Sequence, residues 1–196
     1  GAYMPNLEKH IIPVPLKTDN TDLTNAYQIS FNLCGDSWIG YFSPRDNKWN
    51  EASNTTTFFF SEGWVNLMYE YAITNIFAPW IQLKNINMSG ENPNKEMYAI
   101  AQISKIMGLH RSTDKFGPIP YKQVGNGSFT VEYDSQESVY RSFFEELDEA
   151  VTVLYDFYMK ANNTVPMASD VVYEGDVTKW IRLANSLMLR LAIRVR

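Results

Sequence analysis

The sequence predicts an all-α (mainly α) fold of tetratricopeptide-like helix pairs joined by long loops. Apolar residues recur at three- and four-residue spacings along several long segments, as on the buried face of a helix. The best of these segments come as two consecutive pairs, and antiparallel pairs that bury each other's apolar faces are the unit of tetratricopeptide stacks. The sequence signature of that repeat is absent, so the stack is predicted from architecture alone.

The N-terminal part is predicted to begin with an extended lead-in. Residues 1–20 are polar and contain Pro5, Pro13 and Pro15, which favours extended backbone. Apolar residues in rough helical register then predict a helical segment over residues 21–42, although two glycines weaken the pattern.

The first predicted helix pair covers residues 61–83 and 93–108. Ser61 is placed to cap the free amides of the first helix, and Pro79 is expected to kink or end that helix. Gly108 is expected to end the second helix, because glycine is common just after the last helical residue.

A proline-containing connection leads from the first pair to the strongest helix pattern, residues 134–160. Asp134 followed by Glu137 is a variant of the capping box. A cluster of acids lies on the side opposite the apolar face, and it is predicted to be solvated rather than catalytic: Glu145, Glu146, Asp148 and Glu149.

The last predicted helix, residues 176–196, carries an apolar stripe that runs to the final residue. Asp176 is placed to cap it, and Trp180 is expected to pack in the core. No glycine, asparagine or proline ends the stripe, so we expect the native protein to continue beyond it and the domain to be incomplete here.

Composition argues against several classes of function. The net charge is −5 and no run of Lys or Arg is present, so nucleic acid is not an expected partner. One cysteine and two widely separated histidines lack metal-ligand spacing, and neither a metal nor a cofactor is predicted. No stretch reaches the roughly 20 apolar residues that a membrane-spanning helix needs.

Residues 43–60 are predicted to form a polar loop, with Phe58-Phe59-Phe60 anchoring its far end in the core. The loop and the residues before it offer aromatic rings among hydrogen-bonding groups. Sugar binding requires that mixture, because rings stack on the apolar faces of pyranoses while polar groups satisfy the hydroxyls. In the alternative interpretation, Trp38 and Trp49 simply close the core. The candidate ligand-binding residues are Trp38, Tyr41, Arg45, Asp46, Asn47 and Trp49.

Three stretches together resemble the SusD/RagB family of nutrient-binding lipoproteins. They cover much of residues 60–196, and the third is the most specific because it is long and ordered. The stretches are Asp114-Lys115-Phe116-Gly117-Pro118-Ile119-Pro120-Tyr121, then Glu137-Ser138-Val139-Tyr140 with Glu146-Leu147-Asp148-Glu149-Ala150, and finally residues 170–180 with their continuation to Arg194.

The resemblance implies a domain organisation and a location. Residues 1–20 would be the lead-in, and residues 21–196 the N-terminal part of a SusD-like helical domain. A lipid anchor on an upstream cysteine that is not in this sequence would hold the protein on the extracellular face of a Gram-negative outer membrane. The implied partners are a SusC-like TonB-dependent transporter and a glycan or other small nutrient.

The function predicted from this resemblance is non-enzymatic capture of a nutrient, with a glycan or oligosaccharide as the expected ligand. Two rival functions stay open. A helical-repeat scaffold would bind a peptide along a concave groove and ignore sugars. A glycoside hydrolase would need two carboxylates that face each other across a cleft, about 5–10 Å apart, and the sequence alone does not show such a pair.

Overall fold

The structure, a computed structural model, describes residues 2–11, 23–46, 48–160, 163–166 and 170–196. Two short strands, β1 (Ile119–Pro120) and β2 (Tyr133–Asp134), pair antiparallel. The α-helices are α1 (Tyr3–Ile11), α2 (Leu23–Tyr27), α3 (Glu62–Ser89), α4 (Lys95–Phe116), α5 (Gln136–Met159) and α6 (Val177–Arg194). Because helices make up most of the described residues and each strand has two residues, the mainly-α prediction is confirmed.

The chain divides into two compact units. Residues 1–11 and 75–196 form the first, which we call the helical unit, and residues 12–74 form the second, which we call the loop unit. The division predicted from sequence, a lead-in over 1–20 and one domain over 21–196, remains a prediction.

The extended conformation predicted for residues 1–20 is wrong in its first half, because Tyr3–Ile11 forms helix α1. Pro5 lies in the first turn of that helix, where backbone N–H groups have no helical acceptor, so its missing N–H costs little. Met4 and Leu7 are buried, and α1 packs against α4. Pro13 and Pro15 lie outside the described residues.

In the loop unit, the helical segment predicted over 21–42 is shorter than expected. Helix α2 continues as a π-helical stretch over Gln28–Asp36 and ends there. The following loop contains a turn over Trp49–Ala52, in which Asn50, Glu51 and Ala52 have positive φ angles, and a short 3₁₀ turn over Thr55–Thr57.

Helix α3 passes through Pro79, which was predicted to kink or end it, and helix α4 passes through Gly108, which was predicted to stop it. Helix α3 continues beyond Pro79 to Ser89, because one lost backbone hydrogen bond is outweighed by the burial of its neighbours Phe77 and Trp80. Helix α4 continues beyond Gly108, where a Cβ atom would lie 2.7 Å from Cδ1 of Ile76. Gly108 therefore permits close contact between α3 and α4 instead of ending a helix.

The helices pack as antiparallel neighbours, as the predicted pairs require. Along α3 and α4, Ile76 faces Gly108, and Trp80 donates a hydrogen bond to Gln102. Helix α4 also runs antiparallel to α5, since Asp114 meets Tyr140 near one end and Lys105 meets Glu146 further along. Helix α6 packs on both α4 and α5.

The connection between α4 and α5, which we call the crossing segment, is extended at β1 and β2 and forms turns between the two strands. Gly117, with φ of 73°, ends α4, and Ile119 and Tyr121 are buried beyond it. The predicted capping box is wrong, because the Asp134 carboxylate accepts hydrogen bonds from the backbone N–H groups of Tyr121 and Lys122. The Ser135 hydroxyl caps α5 instead, accepting from the Ser138 N–H at 3.2 Å.

Helix α6 begins as predicted. The Asp176 carboxylate accepts from the N–H groups of Thr178 and Lys179, and Trp180 is fully buried. The buried apolar stripe ends earlier than predicted, at Leu191, because Val195 is 56% exposed. The buried residues of α6 are Val177, Trp180, Ala184, Leu187 and Leu191.

We expect Asp176→Ala to lower the free energy of unfolding by about 1 kcal/mol, because two amides at the start of α6 lose their acceptor. Chemical denaturation measures this change. Asp148→Ala, which removes the same charge from an exposed position on α5, is the matched control and is expected to cost nothing. Equal losses for the two variants would contradict the capping role.

Candidate functional site

Of the six predicted ligand-binding residues, Trp38 is the one that the described contacts place in a cluster of aromatic rings. Its ring centroid lies 5.6 Å from Phe58, edge to face, and 4.9 Å from Phe60, tilted. Trp38 itself is half-buried, whereas Phe58 and Phe60 are 79% and 69% exposed. We call these three residues the aromatic cluster. Trp38 thus supports two exposed rings within the loop unit.

The other predicted residues lie nearby in the sequence, and their exposure differs. Tyr41 is 77% exposed, and Arg45 and Asp46 are also exposed. One carboxylate oxygen of Asp46 accepts from the backbone N–H of Lys48 at 2.9 Å, and among the described residues no donor reaches its second oxygen, which can accept from a ligand. Asn47 and the side chain of Trp49 lie outside the described residues.

The prediction that Phe58-Phe59-Phe60 anchors the loop in the core is wrong. Asn54 occupies the interior instead: it is fully buried, and its backbone carbonyl accepts from the N–H of Phe59 at 3.0 Å. Its side-chain oxygen accepts from the N–H of Thr56, which closes the turn before the phenylalanines. The turn therefore directs the three rings outward, into solvent.

Sequence reasoning missed Phe58 and Phe60 as candidate site residues because three adjacent phenylalanines are usual core residues. A signal was present in the polar run of Asn and Thr that precedes them, since a turn there can direct rings to the surface. Neighbouring exposed rings are unusual on a soluble surface and mark a place where something binds. This makes the aromatic cluster the candidate ligand site.

A second arrangement of polar groups lies inside the helical unit, around Lys105. Its ammonium is 2.7 Å from Oε2 of Glu146 and lies over the rings of Trp80 and Tyr121, 4.2 Å and 4.5 Å from their centroids. The Tyr121 hydroxyl donates to the same glutamate oxygen at 2.6 Å. Glu146, which was predicted to be solvated, is therefore a partner of a buried cation.

The burial of Lys105 determines its chemistry. Its side chain is 2% exposed, and burial lowers its pKa to about 8 against the opposing effect of the Glu146 charge. Burial, then Glu146, raises the pKa of Tyr121 well above its ordinary value. A ligand in solution cannot reach the Lys105 ammonium or the Tyr121 hydroxyl. We therefore interpret the Lys105 cluster as a set of contacts that hold α3, α4, α5 and the crossing segment together.

A groove of about 710 Å³ opens between the end of α4, the start of α5 and the end of α6. The Tyr140 hydroxyl donates to Asp114 at 2.5 Å, and Nε of Arg194 lies 3.5 Å from the same carboxylate oxygen. Glu137 pairs with Arg141 at 2.7 Å on the rim. Both carboxylates in the groove are thus engaged by partners within this chain.

The described part of the chain contains neither a candidate metal site nor a candidate membrane-spanning helix. Its side chains include no group of three or more His, Cys, Asp and Glu residues that could hold a metal ion. None of its helices combines the length and the apolar character that a membrane span requires.

Comparison with known proteins gives one family and several related structures. The family model "SusD-like: Susd and RagB outer membrane lipoprotein" matches residues 1–196. No curated protein sequence was found to match.

Solved structures share the fold along the whole of this chain. A chitin-binding SusD homolog from Flavobacterium johnsoniae is 31% identical, with a TM-score of 0.83 over 99% of this chain. A protein called BT1043 is 34% identical, with a TM-score of 0.84 over 100% of the chain. A SusD homolog from Bacteroides vulgatus is 29% identical, with a TM-score of 0.81 over 98%. The chain spans only 37–38% of the length of these proteins.

Proposed function

The chain belongs to the SusD-like family of Susd and RagB outer membrane lipoproteins, and we propose that it binds glycans at the cell surface without altering them. The observation that carries this proposal is the aromatic cluster, in which Phe58 and Phe60 are largely exposed while Trp38 supports them from one side. Two exposed rings that pack against the half-buried Trp38 can stack on a ligand with flat apolar faces, and pyranose rings have such faces.

The polar residues of the loop unit complete the proposed site. Arg45 would donate to sugar hydroxyls, and the second carboxylate oxygen of Asp46 would accept from them. Asn47 and Trp49 remain proposed contributors, and Tyr41 offers an exposed ring with its own hydroxyl. Because one related structure is described as chitin-binding, an oligosaccharide of N-acetylglucosamine is the first ligand to test.

The proposed partner is a SusC-like TonB-dependent transporter, which would receive the captured glycan. The proposed location is the extracellular face of the outer membrane, with a lipid anchor on a cysteine upstream of this sequence. Membership of a family of outer membrane lipoproteins supports both proposals. Co-purification of the full-length protein with such a transporter from solubilised outer membranes tests the partnership, and purification without it would count against it.

We expect the double variant Phe58→Ala, Phe60→Ala to bind an N-acetylglucosamine oligosaccharide about 10- to 100-fold more weakly than the wild type. Each lost stacking contact is worth roughly 1 kcal/mol, and 1.4 kcal/mol is a factor of ten. Isothermal titration calorimetry measures the affinity. Tyr41→Ala is expected to give a smaller loss in the same assay.

Phe129→Ala is the matched control, because this phenylalanine is fully exposed and belongs to the helical unit. It is expected to bind like the wild type. Equal affinities for wild type, double variant and control would contradict the proposed site. If a glycan array detects no binding to any sugar while a peptide library does, the scaffold function replaces the proposed one.

The non-catalytic part of the proposal has its own test. Prolonged incubation with oligosaccharides, followed by chromatography, is expected to return the ligand unchanged. Shorter products that appear with the purified protein would overturn this part and favour a glycoside hydrolase.

A further inference from the structure

Two carboxylic acids are buried side by side where helix α1 meets the segment that leads to α6. Glu8 is 5% exposed and Asp170 is 4% exposed. Oε2 of Glu8 accepts a hydrogen bond from the backbone N–H of Val171 at 2.8 Å, and the Glu8 carboxyl lies against that of Asp170. Two neighbouring carboxylates in a buried site cannot both carry a charge at low cost, so we expect one of them to hold a proton.

The hydrogen bonds decide which acid holds the proton. Asp170 accepts from the backbone N–H groups of Val172, Tyr173 and Gly175 and from the indole N–H of Trp180. Glu8 accepts from one backbone N–H, and its Oε1 is buried without any donor among the described residues. Four donors stabilise a charge on Asp170, so Glu8 is the protonated partner and its O–H can donate to Asp170.

We propose that Glu8 and Asp170 form a proton-operated latch, in which a shared proton holds α1 against the rest of the helical unit and its loss releases α1. When Glu8 loses its proton to water, two buried carboxylates face each other and repel. Docked α1 buries Met4 and Leu7 and packs on α4, so release uncovers an apolar strip of α4.

The charges around the pair support this assignment. Burial, followed by Asp170, raises the pKa of Glu8 from 4.5 to about 8, against the lowering effect of the Val171 N–H. Burial alone would raise the pKa of Asp170, but the hydrogen bonds from Tyr173, Trp180 and Gly175 hold it below its ordinary value.

The pKa values of the other buried titratable groups of α4 are shifted by charges other than Glu8 and Asp170. Lys105 is under the influence of Glu146 and Lys84, and His110 is under that of Arg111, Arg190 and Asp114. On α1 itself, Lys9 acts on His10. Among the described residues, Asp170 is therefore the charged group that acts on the Glu8 carboxyl.

The direction of the pH effect follows from the raised pKa. Glu8 favours the docked state fully below its unfolded pKa of 4.5, and this contribution is lost as the pH rises through about 8. Between pH 6 and pH 8 the docked state binds one proton more than the released state, so each pH unit weakens docking by up to about tenfold. Above pH 8 the effect levels off.

Hydrogen exchange of the whole chain, compared at about pH 6 and pH 9, tests the latch. We expect the protection factors of the α1 amides to fall by roughly 10- to 100-fold, while those of buried α5 residues such as Leu147 and Leu154 stay constant. In Glu8→Gln the side-chain amide donates to Asp170 at every pH, so α1 is expected to be equally protected at both.

Glu137→Gln makes the same change at an exposed position and is expected to behave like the wild type. Three results would overturn the latch: unchanged α1 protection in the wild type, the same loss in Glu8→Gln, or a parallel loss in α5. The wild-type profile alone decides the question if Glu8→Gln does not fold.

Discussion

Replacing Trp180 by alanine is expected to lower the free energy of unfolding of the helical unit by roughly 3–5 kcal/mol. The ring is fully buried, packs edge to face against Tyr173 at 5.1 Å between centroids, and donates its indole N–H to Asp170 at 2.7 Å. Alanine leaves a large cavity and removes one of the four donors that stabilise a buried carboxylate. Urea denaturation followed by circular dichroism measures the loss.

Two further variants separate packing from hydrogen bonding at Trp180. Trp180→Phe keeps most of the ring volume but removes the indole N–H, so a smaller loss of about 1–3 kcal/mol is expected. Leu189→Ala removes an apolar side chain from the exposed side of the same helix and is expected to change stability by about 0.5 kcal/mol or less. A Trp180→Ala variant as stable as Leu189→Ala would contradict the buried position of Trp180 in the packing of α6.

Replacing Glu146 by alanine is expected to cost about 3–5 kcal/mol, because it leaves the ammonium of Lys105 buried without a counter-charge. The rings of Trp80 and Tyr121 lie within 4.5 Å of that ammonium but compensate only part of its lost hydration. The Tyr121 hydroxyl loses its acceptor in the same variant. Chemical denaturation at neutral pH measures the change.

The matched control is Glu145→Ala, the neighbouring exposed acid on α5, which is expected to have little effect. The double variant Lys105→Met, Glu146→Leu removes both charges and is expected to recover most of the loss. Losing Glu146 also removes the charge that raises the pKa of Lys105, which burial already holds at about 8. The destabilisation by Glu146→Ala should therefore shrink as the pH rises, because neutral Lys105 is tolerated in the core.

Helices α3 to α6 could be predicted from the sequence because each repeats apolar residues over several turns. Their ends could not, since Pro79 and Gly108 act locally while packing acts over the whole helix. Gly108 matters for a neighbour, Ile76, that lies 32 positions earlier in the chain and meets it only after folding. Local signals were reliable where a cap stands alone, as at Asp176.

Partners far apart in the sequence also explain the errors about charge. Glu146 belongs to a row of acids that looks solvated, but its carboxylate binds Lys105, which is 41 positions away. Glu8 and Asp170 meet across 162 positions, and neither residue alone suggests a shared proton. Sequence patterns describe the face of a helix and leave open which element covers it.

The candidate site could be predicted only in part, for a related reason. The mixture of aromatic and polar residues indicated the region in which Trp38 joins the aromatic cluster, and the ligand-binding role of this region stays a prediction. Phe58 and Phe60 were assigned to the core because their exposure depends on how Asn54 folds the preceding turn inward. Irregular backbone of this kind has no repeating pattern from which to predict it.

The most direct test of the proposed glycan site is a titration of the protein with an N-acetylglucosamine oligosaccharide, followed by nuclear magnetic resonance of isotope-labelled phenylalanine and tyrosine rings. We expect the resonances of Phe58, Phe60 and Tyr41 to shift with saturation, while the ring of Phe129 stays unchanged. Shifts confined to rings of the helical unit, with Phe58 and Phe60 unaffected, would contradict the proposal that the aromatic cluster binds the sugar.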